Sequence, residues 1–596
     1  MVFNNNLLLG AGGSQGGVVP FDSDAIGNSV WLDGSADTLA KTFSSGSAQT
    51  KVVISTWVQR NSFGSVQDIF SATGGTGGAT RNNRFSFQAD DTIDIQVETT
   101  ALATIIYSTT RIFRDIGWYH VLVSIDQGSS TADQAQLYIN GEQVNITATS
   151  GAGTFTAAMS SFGNAALHNV GSNGGTVTFL NGYQTQTTML VGQSIQNGDV
   201  AVTDFLDSFT YGTNGSQFAP KKDSNVAALA STAGGNSFCL DYGDSSDLGN
   251  DISSNNNDFS PTSMAAANQT GSSPSSAFAT WNPLRVNTQT QTFAEGNLRF
   301  SSTQTSTNPA ATGSYGVSSG KFYWEVYVVA QGNTSNMLGI CDVEAGLEDD
   351  TSALYASALM YSYEFAGTKR NNNSSTSYGD SITTADIVGI ALDMDNGGVY
   401  FSKNGTFQAS GDPTSGSSLT NAAFTGLNSA GSGTFQPYYL AYSNGDGVAN
   451  FGQSPTFNGQ TTAGGNTDAN GRGNFKFSVP SGYTALTSAN LSAPDYQGID
   501  SFSPILYEGN GAGQRVGDFV PFTDAFDVAK SAMFQHDEAR ALSRTAGTPS
   551  SSGGKKGTWS TWYKTANIDT DNIFFDTGTT ATNRFSLQMD ASGQIV

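Results

Sequence analysis

Along residues 118–126, Val121, Val123 and Ile125 share one face and Leu122 and Ser124 the other. After the stretch 127–133, Ala135, Leu137 and Ile139 alternate with Gln134, Gln136 and Tyr138. A side-chain period of two is that of a strand with one buried face. Asn140-Gly141 follows, and both residue types tolerate the positive φ of a tight hairpin. The pattern predicts strand, loop, strand, tight turn, strand. The segment KVVISTWVQR (51–60) adds another strand of bulky β-formers.

The same grammar recurs further on. In KFYWEVYVV (321–329), Phe322, Trp324, Val326 and Val328 oppose Tyr323, Glu325, Tyr327 and Val329. IVGIALD, VYFSK and FQPYYLAY extend the pattern, with turns at Asn396-Gly397 and Asn404-Gly405. Gly339 and Gly389, inside strands, predict bulges or close backbone approaches. Only the segment 519–537 suggests helix, of a turn or two.

These segments predict an all-β chain of multidomain antiparallel β-sandwiches. A first sandwich spans 20–250 after an N-terminal segment 1–19, and the polar stretch 251–276 reads as a connector or peripheral loop. A second sandwich spans 277–491, followed by a linker at 492–520. The segment 521–596 repeats the first sandwich. Ser55-Thr56-Trp57 answers Ser560-Thr561-Trp562, Asp68-Ile69-Phe70 answers Asn572-Ile573-Phe574, and Asn83-Arg84-Phe85-Ser86 answers Asn583-Arg584-Phe585-Ser586. The copy ends partway through a strand pattern, so a fragment or an incomplete reading frame is expected, with a disordered tail or a partner chain that covers it as the alternatives.

Composition narrows the function. The 596 residues include 70 Gly and only 12% charged residues, which suits strands and turns better than helices. The net charge of −24 and the absence of a basic cluster exclude a nucleic-acid groove. No run of eighteen apolar residues occurs, so no membrane insertion is expected. The two cysteines, Cys239 and Cys341, fall in apolar strand contexts and read as buried free thiols.

Trp118-Tyr119-His120-Val121-Leu122-Val123 with Tyr138-Ile139-Asn140-Gly141-Glu142 resembles the paired strands of laminin-G-like, concanavalin A-like domains. Residues 320–326, 338–340, 386–393 and 399–405 resemble, in order, the motifs of SPRY domains. Taken with the opening MVFNNNLLLGAGG and the stretch 238–259, the combination resembles structural proteins of tailed, often marine, phages. That resemblance implies a tail-fibre or capsid-surface protein located on the virion and acting outside the cell. Its expected partners are a host cell-surface glycan or protein and other virion proteins, with homo-oligomerisation possible. The alternatives are a non-binding structural spacer or decoration protein and, third, a polysaccharide depolymerase.

Sugar recognition needs aromatic platforms and amide or carboxylate partners for hydroxyls. Tyr119 and Tyr138 are the candidates in the first sandwich, whereas Trp57 and Trp118 read as core. In the SPRY-like part, Tyr361, Tyr363, Lys369 and Arg370 form a basic-aromatic cluster in the loop region 361–377, which is either a contact surface, at the end such domains use for peptides or proteins, or simply an exposed hairpin. Asp241, Asp244, Asp247 and Asp251 crowd into one loop. Either they ligate calcium, the one cofactor in view, or they cap a solvated loop through Asx turns. No enzyme is expected. No carboxylate run of the type that glycosidases carry along one strand was identified, and the three histidines, His120, His168 and His536, lie far apart in sequence. The two G-x-S-x-G matches (12–16 and 316–320) lack a strand-to-helix context.

Overall fold

The computed structural model describes residues 24–75, 82–130, 133–151, 153–210, 216–286, 290–305, 308–346, 357–491, 572–580 and 583–589. The segments 1–19, 492–520 and 519–537, His536 and the 560–564 part of the repeat lie outside them. The chain divides into two units, 1–530 and 531–596.

The first unit holds two sandwiches built almost wholly from antiparallel strands. In the first, one eight-stranded sheet runs Glu142–Val144, Ala135–Ile139, Trp118–Asp126, Lys51–Arg60, Asn181–Val191, Ser29–Asp33, Gln269–Thr270, with Phe238–Leu240 also pairing to Asn181–Val191. The facing sheet runs Ile146–Ser150, Thr104–Thr109, Ile93–Glu98, Asn82–Phe87, Gln67–Thr73, Leu167–Val170, Thr38–Thr42, Ser260–Thr262. Between them lies a core of Val121, Val123, Ile125, Leu137 and Ile139 from one side and Phe70, Phe85, Ile93 and Ile95 from the other. The predicted hairpin is present: Asn140 and Gly141 have φ of 52° and 85°.

The stretch 251–276 departs from its reading as a connector. It supplies one strand to each sheet, Ser260–Thr262 beside Thr38–Thr42 and Gln269–Thr270 beside Ser29–Asp33. Its serines then fasten it to the start of the first sandwich. Ser273 Oγ donates to Ile26 O (2.6 Å), Ser29 Oγ donates to Ser272 O (2.6 Å), and Ile26 N–H donates to Ser275 Oγ (3.1 Å). A polar sequence folds here because its hydroxyls satisfy buried backbone groups.

One helix, Asp223–Ala233, was not foreseen. Its buried residues are small (Val226, Ala227, Ala230) and pack on Val53, Leu122 and Leu190, the outer face of the first sheet. Both faces of that sheet are therefore covered, and all nine residues of Trp118–Asp126 are buried. Trp57 and Trp118 are core, as expected.

The second sandwich pairs a seven-stranded sheet with a nine-stranded one. Phe322, Trp324, Val326 and Val328 face the core between them. The opposite face of that strand is covered by the return segment carrying Phe475, Tyr483 and Ala485. Strand Thr484–Ala485 pairs parallel to it. A Cβ on Gly339 would stand 2.1 Å from Tyr361 O, so the expected close approach is real.

In the second unit, Asn572–Thr580 and Asn583–Met589 form an antiparallel hairpin, the counterpart of Gln67–Thr73 with Asn82–Phe87. The register differs: Phe85 stands opposite Phe70, whereas Phe585 stands opposite Thr577.

Candidate functional site

Alternation in Ile93–Glu98 puts Ile93, Ile95 and Val97 in the core and Asp94, Gln96 and Glu98 on the outer face. Cross-strand register extends that face into rows. One row reads Asn169, Ser71, Arg84, Gln96, Ile106 across five strands. A second reads Asp68, Ser86, Asp94, Ser108, Thr147. Carboxylate, guanidinium, amide and hydroxyl groups thus stand side by side, and no aromatic side chain interrupts either row.

The groups are cross-linked. Arg84 Nη1 donates to Asp68 Oδ2 (3.2 Å) and its Nε to Gln96 Oε1 (3.3 Å). Gln96 Nε2 donates to Glu98 Oε1 (3.0 Å), and the backbone N–H of Asn82 to Glu98 Oε2 (2.9 Å). Burial lifts the Asp68 carboxyl to about 6 despite its Arg84 partner, and burial raises Asp94 as well. Arg84, Asp94 and Gln96 stay half-buried and reachable, while Asp68 is covered.

A glycine-bearing loop, 172–178, covers the Asp68 side. Ser71 Oγ donates to Ser172 O (2.7 Å), Asn82 Nδ2 to Asn173 Oδ1 (3.0 Å), and Thr178 Oγ1 to Asp68. Gly174 and Gly175 take φ of 59° and 72°, the left-handed region that favours glycine.

The residues singled out in the sequence fall elsewhere, and two need correction. Tyr119 is core, 3% exposed, with its hydroxyl bonded to the half-buried Asp115 and its ring edge-on to Phe113. Tyr363 is fully buried, its hydroxyl donating to Asp380 O. Neither offers a platform, because each ring points into the core between the two sheets of its sandwich. Tyr138 is half-buried beside Gln136, its Oη donating to Gln136 Oε1 (2.8 Å). Tyr361 packs edge-on against Phe424 and Phe435. Lys369 Nζ lies 5.3 Å from the Phe424 ring centroid and donates to Ala423 O (2.6 Å). Arg370 Nε donates to Glu364 Oε1 (2.6 Å). Tyr361 and Lys369 therefore meet on Phe424, while Arg370 serves the hairpin's own carboxylate.

The four aspartates of 241–251 do not act as one group. Asp251 is buried and accepts from Cys239 N (2.9 Å), Ser253 N (2.9 Å), Ser253 Oγ (2.8 Å) and Asn257 N (2.8 Å). Asp241 and Asp244 accept from the backbone two residues on, as Asx turns do, and Asp244 and Asp247 are exposed. Among the described residues, no group of three or more His, Cys, Asp or Glu is placed to hold a metal. Both cysteines are free and buried. No helix of the described residues is long and apolar enough to cross a membrane.

Sequence reasoning passed over Asp94, Gln96 and Glu98. The alternating IDIQVE was the signal: three polar groups on one face of an otherwise apolar strand.

Comparison with known proteins identifies the parts. Residues 33–184 match the concanavalin A-like lectin/glucanases superfamily, and residues 321–454 match the SPRY domain. A concanavalin A-like domain and a SPRY domain are therefore present. Among solved structures it is similar to the SPRY domain of human HERC1 (20% identity, 28% of this chain and 96% of that one, TM-score 0.22). Stonustoxin matches at 20% identity over 29% of this chain and 27% of that one, TM-score 0.23. The heptameric SAP-like pentraxin of Limulus polyphemus matches at 13% identity over 33% and 97%, TM-score 0.23. Concanavalin A-like and SPRY domains are carbohydrate- and protein-interaction modules, and the chain has a binding role.

Proposed function

We propose that the chain is an adhesion protein of a virion surface that binds a host glycan through the outer face of the Asp94–Gln96–Glu98 sheet. The observation that carries the glycan reading is the in-register array of Arg84, Gln96, Asp94 and Ser108 on adjacent strands. A sugar's vicinal hydroxyls both donate and accept, and unlike polar groups about 4.8 Å apart across neighbouring strands suit them. The virion placement rests on the resemblance of the sequence to phage structural proteins.

Binding without turnover is part of the proposal. Asp94 and Glu98 stand four residues apart on one strand, about 13 Å, beyond the roughly 5–9.5 Å that paired glycosidase carboxylates use. Glu98 is also occupied by Gln96 and the Asn82 amide.

A spacer role has one observation of its own, the buried seam of Ile26, Trp57, Trp118, Tyr183, Leu206 and Ala277 that fuses the sandwiches. Oligosaccharide-array binding by the chain and by Arg84→Ala decides between them. Saturable binding that Arg84→Ala weakens supports recognition. A blank array, with no reducing ends released from host polysaccharide, favours the spacer.

A further inference from the structure

Asn169 is fully buried, and neither its Nδ2 nor its Oδ1 has a hydrogen-bond partner. It does not belong to the core. Its neighbours His168 and Val170 point inward, and register places Asn169 beside Ser71 on the outer polar face, in the row of Arg84 and Gln96. What covers it is the 172–178 loop: a Cβ added to Gly175 would lie 3.3 Å from Asn169 Oδ1. Close by, Asn82 Oδ1 is also buried without a partner, although its Nδ2 holds Asn173. An unsatisfied buried amide costs about 1–3 kcal/mol per polar group. Buried polar groups are nearly always paired. Two such amides at the margin of one loop call for a specific explanation.

We infer that Asn169 and Asn82 form a covered subsite of the outer face, whose partners are the hydroxyls of a neutral sugar residue admitted when the 172–178 loop lifts. This rests on the proposed glycan reading and names its ligand class. An amide that offers one acceptor and two donors matches a pair of vicinal hydroxyls. Neutrality follows from charge. The face carries Asp68, Asp94 and Glu98 against Arg84, and Arg84 is already paired with Asp68. The chain as a whole carries −24. A sulfated or uronic sugar would meet like charges with no free cation in these rows. The loop is fastened at its ends, by Thr178 Oγ1 to Asp68, Asp68 N–H to Thr178 O (2.8 Å), Thr38 Oγ1 with Ser172 Oγ (2.7 Å) and Ser71 Oγ to Ser172 O, and in its middle by Asn82 to Asn173 and Gly174 N–H to Ser71 Oγ (3.4 Å). Val177, 52% exposed within it, contributes little packing.

The test uses the whole chain, titrated with neutral gluco-, manno- and galacto-tetraoses and with alginate and carrageenan oligomers. Asn169→Leu should raise the unfolding midpoint of the free protein, because it removes an amide with nothing to bond. The same variant should weaken binding of the neutral tetraose that the wild type selects by at least about tenfold, the loss of one good hydrogen bond. Thr178→Val, which removes the side-chain half of the loop's tie to Asp68 and leaves the backbone bond, should speed association. If Asn169→Leu lowers the midpoint, or leaves neutral-sugar binding within about twofold while Arg84→Ala weakens it, the subsite is refuted and the glycan face stands. Preference for the anionic oligomers refutes the ligand class. No binding of any member by the wild type sinks the glycan reading and the subsite together.

Discussion

His168 Nε2 accepts a hydrogen bond from the backbone N–H of Gly163 (3.0 Å), while Nδ1 faces Ala166 O at 3.0 Å. This arrangement admits one neutral tautomer, since a proton on Nε2 would confront an N–H. The ring is fully buried, edge-on to Phe43 and tilted on Phe70. Burial pushes its pKa down to about 4 from the usual 6.5.

The sign follows from linkage. Between about pH 6.5 and 4 the unfolded chain binds a proton that the folded ring refuses, so stability falls as pH drops through this window. The loss from this residue is about 3 kcal/mol by pH 4. His120, lowered to about 3 by burial, adds in the same direction. Asp37 and Asp68, whose carboxyls burial lifts to about 6, pull the other way over part of this range. His168→Gln isolates the effect. Urea midpoints from pH 7 to 4 should fall less steeply for the variant than for the wild type, even though the variant is weaker at pH 7. Parallel curves would contradict the assignment.

Legibility divides along physical lines. Alternation and Asn-Gly turns are local, so the strand Ala135–Ile139 and its turn at Asn140-Gly141 were readable, as were the Trp57 and Trp118 core positions. Coverage by distant segments is not local. Tyr119 is in phase with Val121, Val123 and Ile125 and shares their inward face, and Tyr363 likewise points into the inter-sheet core, whereas the helix that covers Leu122 on the opposite face is announced by nothing near it. The rows Ser71–Arg84–Gln96 and Ser86–Asp94–Ser108 exist only through register between strands. The serines of 272–276 are buried by contact with residues some 240 positions away in the chain, such as Ile26, 247 residues from Ser273.

Asp251 holds the 239–257 turn through four accepted hydrogen bonds. Asp251→Ala strands Cys239 N–H and the Ser253 groups and should cost about 3 kcal/mol. Asp244→Ala and Asp247→Ala, in exposed positions, should stay within about 0.5 kcal/mol. Chelation with EDTA should leave the wild-type melting midpoint where it was. A calcium-dependent midpoint that Asp244→Ala abolishes would instead make these carboxylates metal ligands.

Glu325 plays the corresponding part in the SPRY domain. It stands on the face away from the core and accepts from Lys476 N (2.8 Å), Phe477 N (2.9 Å) and Tyr323 Oη (3.1 Å). Burial raises its carboxyl, yet these donors favour the charged form. It therefore clasps the return segment to the central strand. Glu325→Ala leaves one buried and two half-buried donors unmet and should destabilise the domain by about 3 kcal/mol, and Glu325→Gln by less. Protease cleavage near 464–480, followed by mass spectrometry, should rise in the same order. Equal resistance in all three proteins would show that the apolar contacts of Phe475 and Tyr483 suffice.

The seam between the sandwiches turns on Gly296. Its carbonyl accepts from Tyr183 Oη (2.7 Å), its φ is +68°, and a Cβ there would stand 2.0 Å from that oxygen. Any side chain must push Tyr183 from the cluster it forms with Trp118 and Ala277. Gly296→Ala should therefore split or broaden the calorimetric transition as the sandwiches lose their coupling, with a cost of about 2–3 kcal/mol. Tyr183→Phe keeps the packing and loses only the hydrogen bond, for about 1 kcal/mol. The Arg84 face lies on the other sheet, so glycan binding should survive both changes. A single sharp transition in Gly296→Ala at the wild-type midpoint would mean that the two sandwiches are joined by something other than this contact.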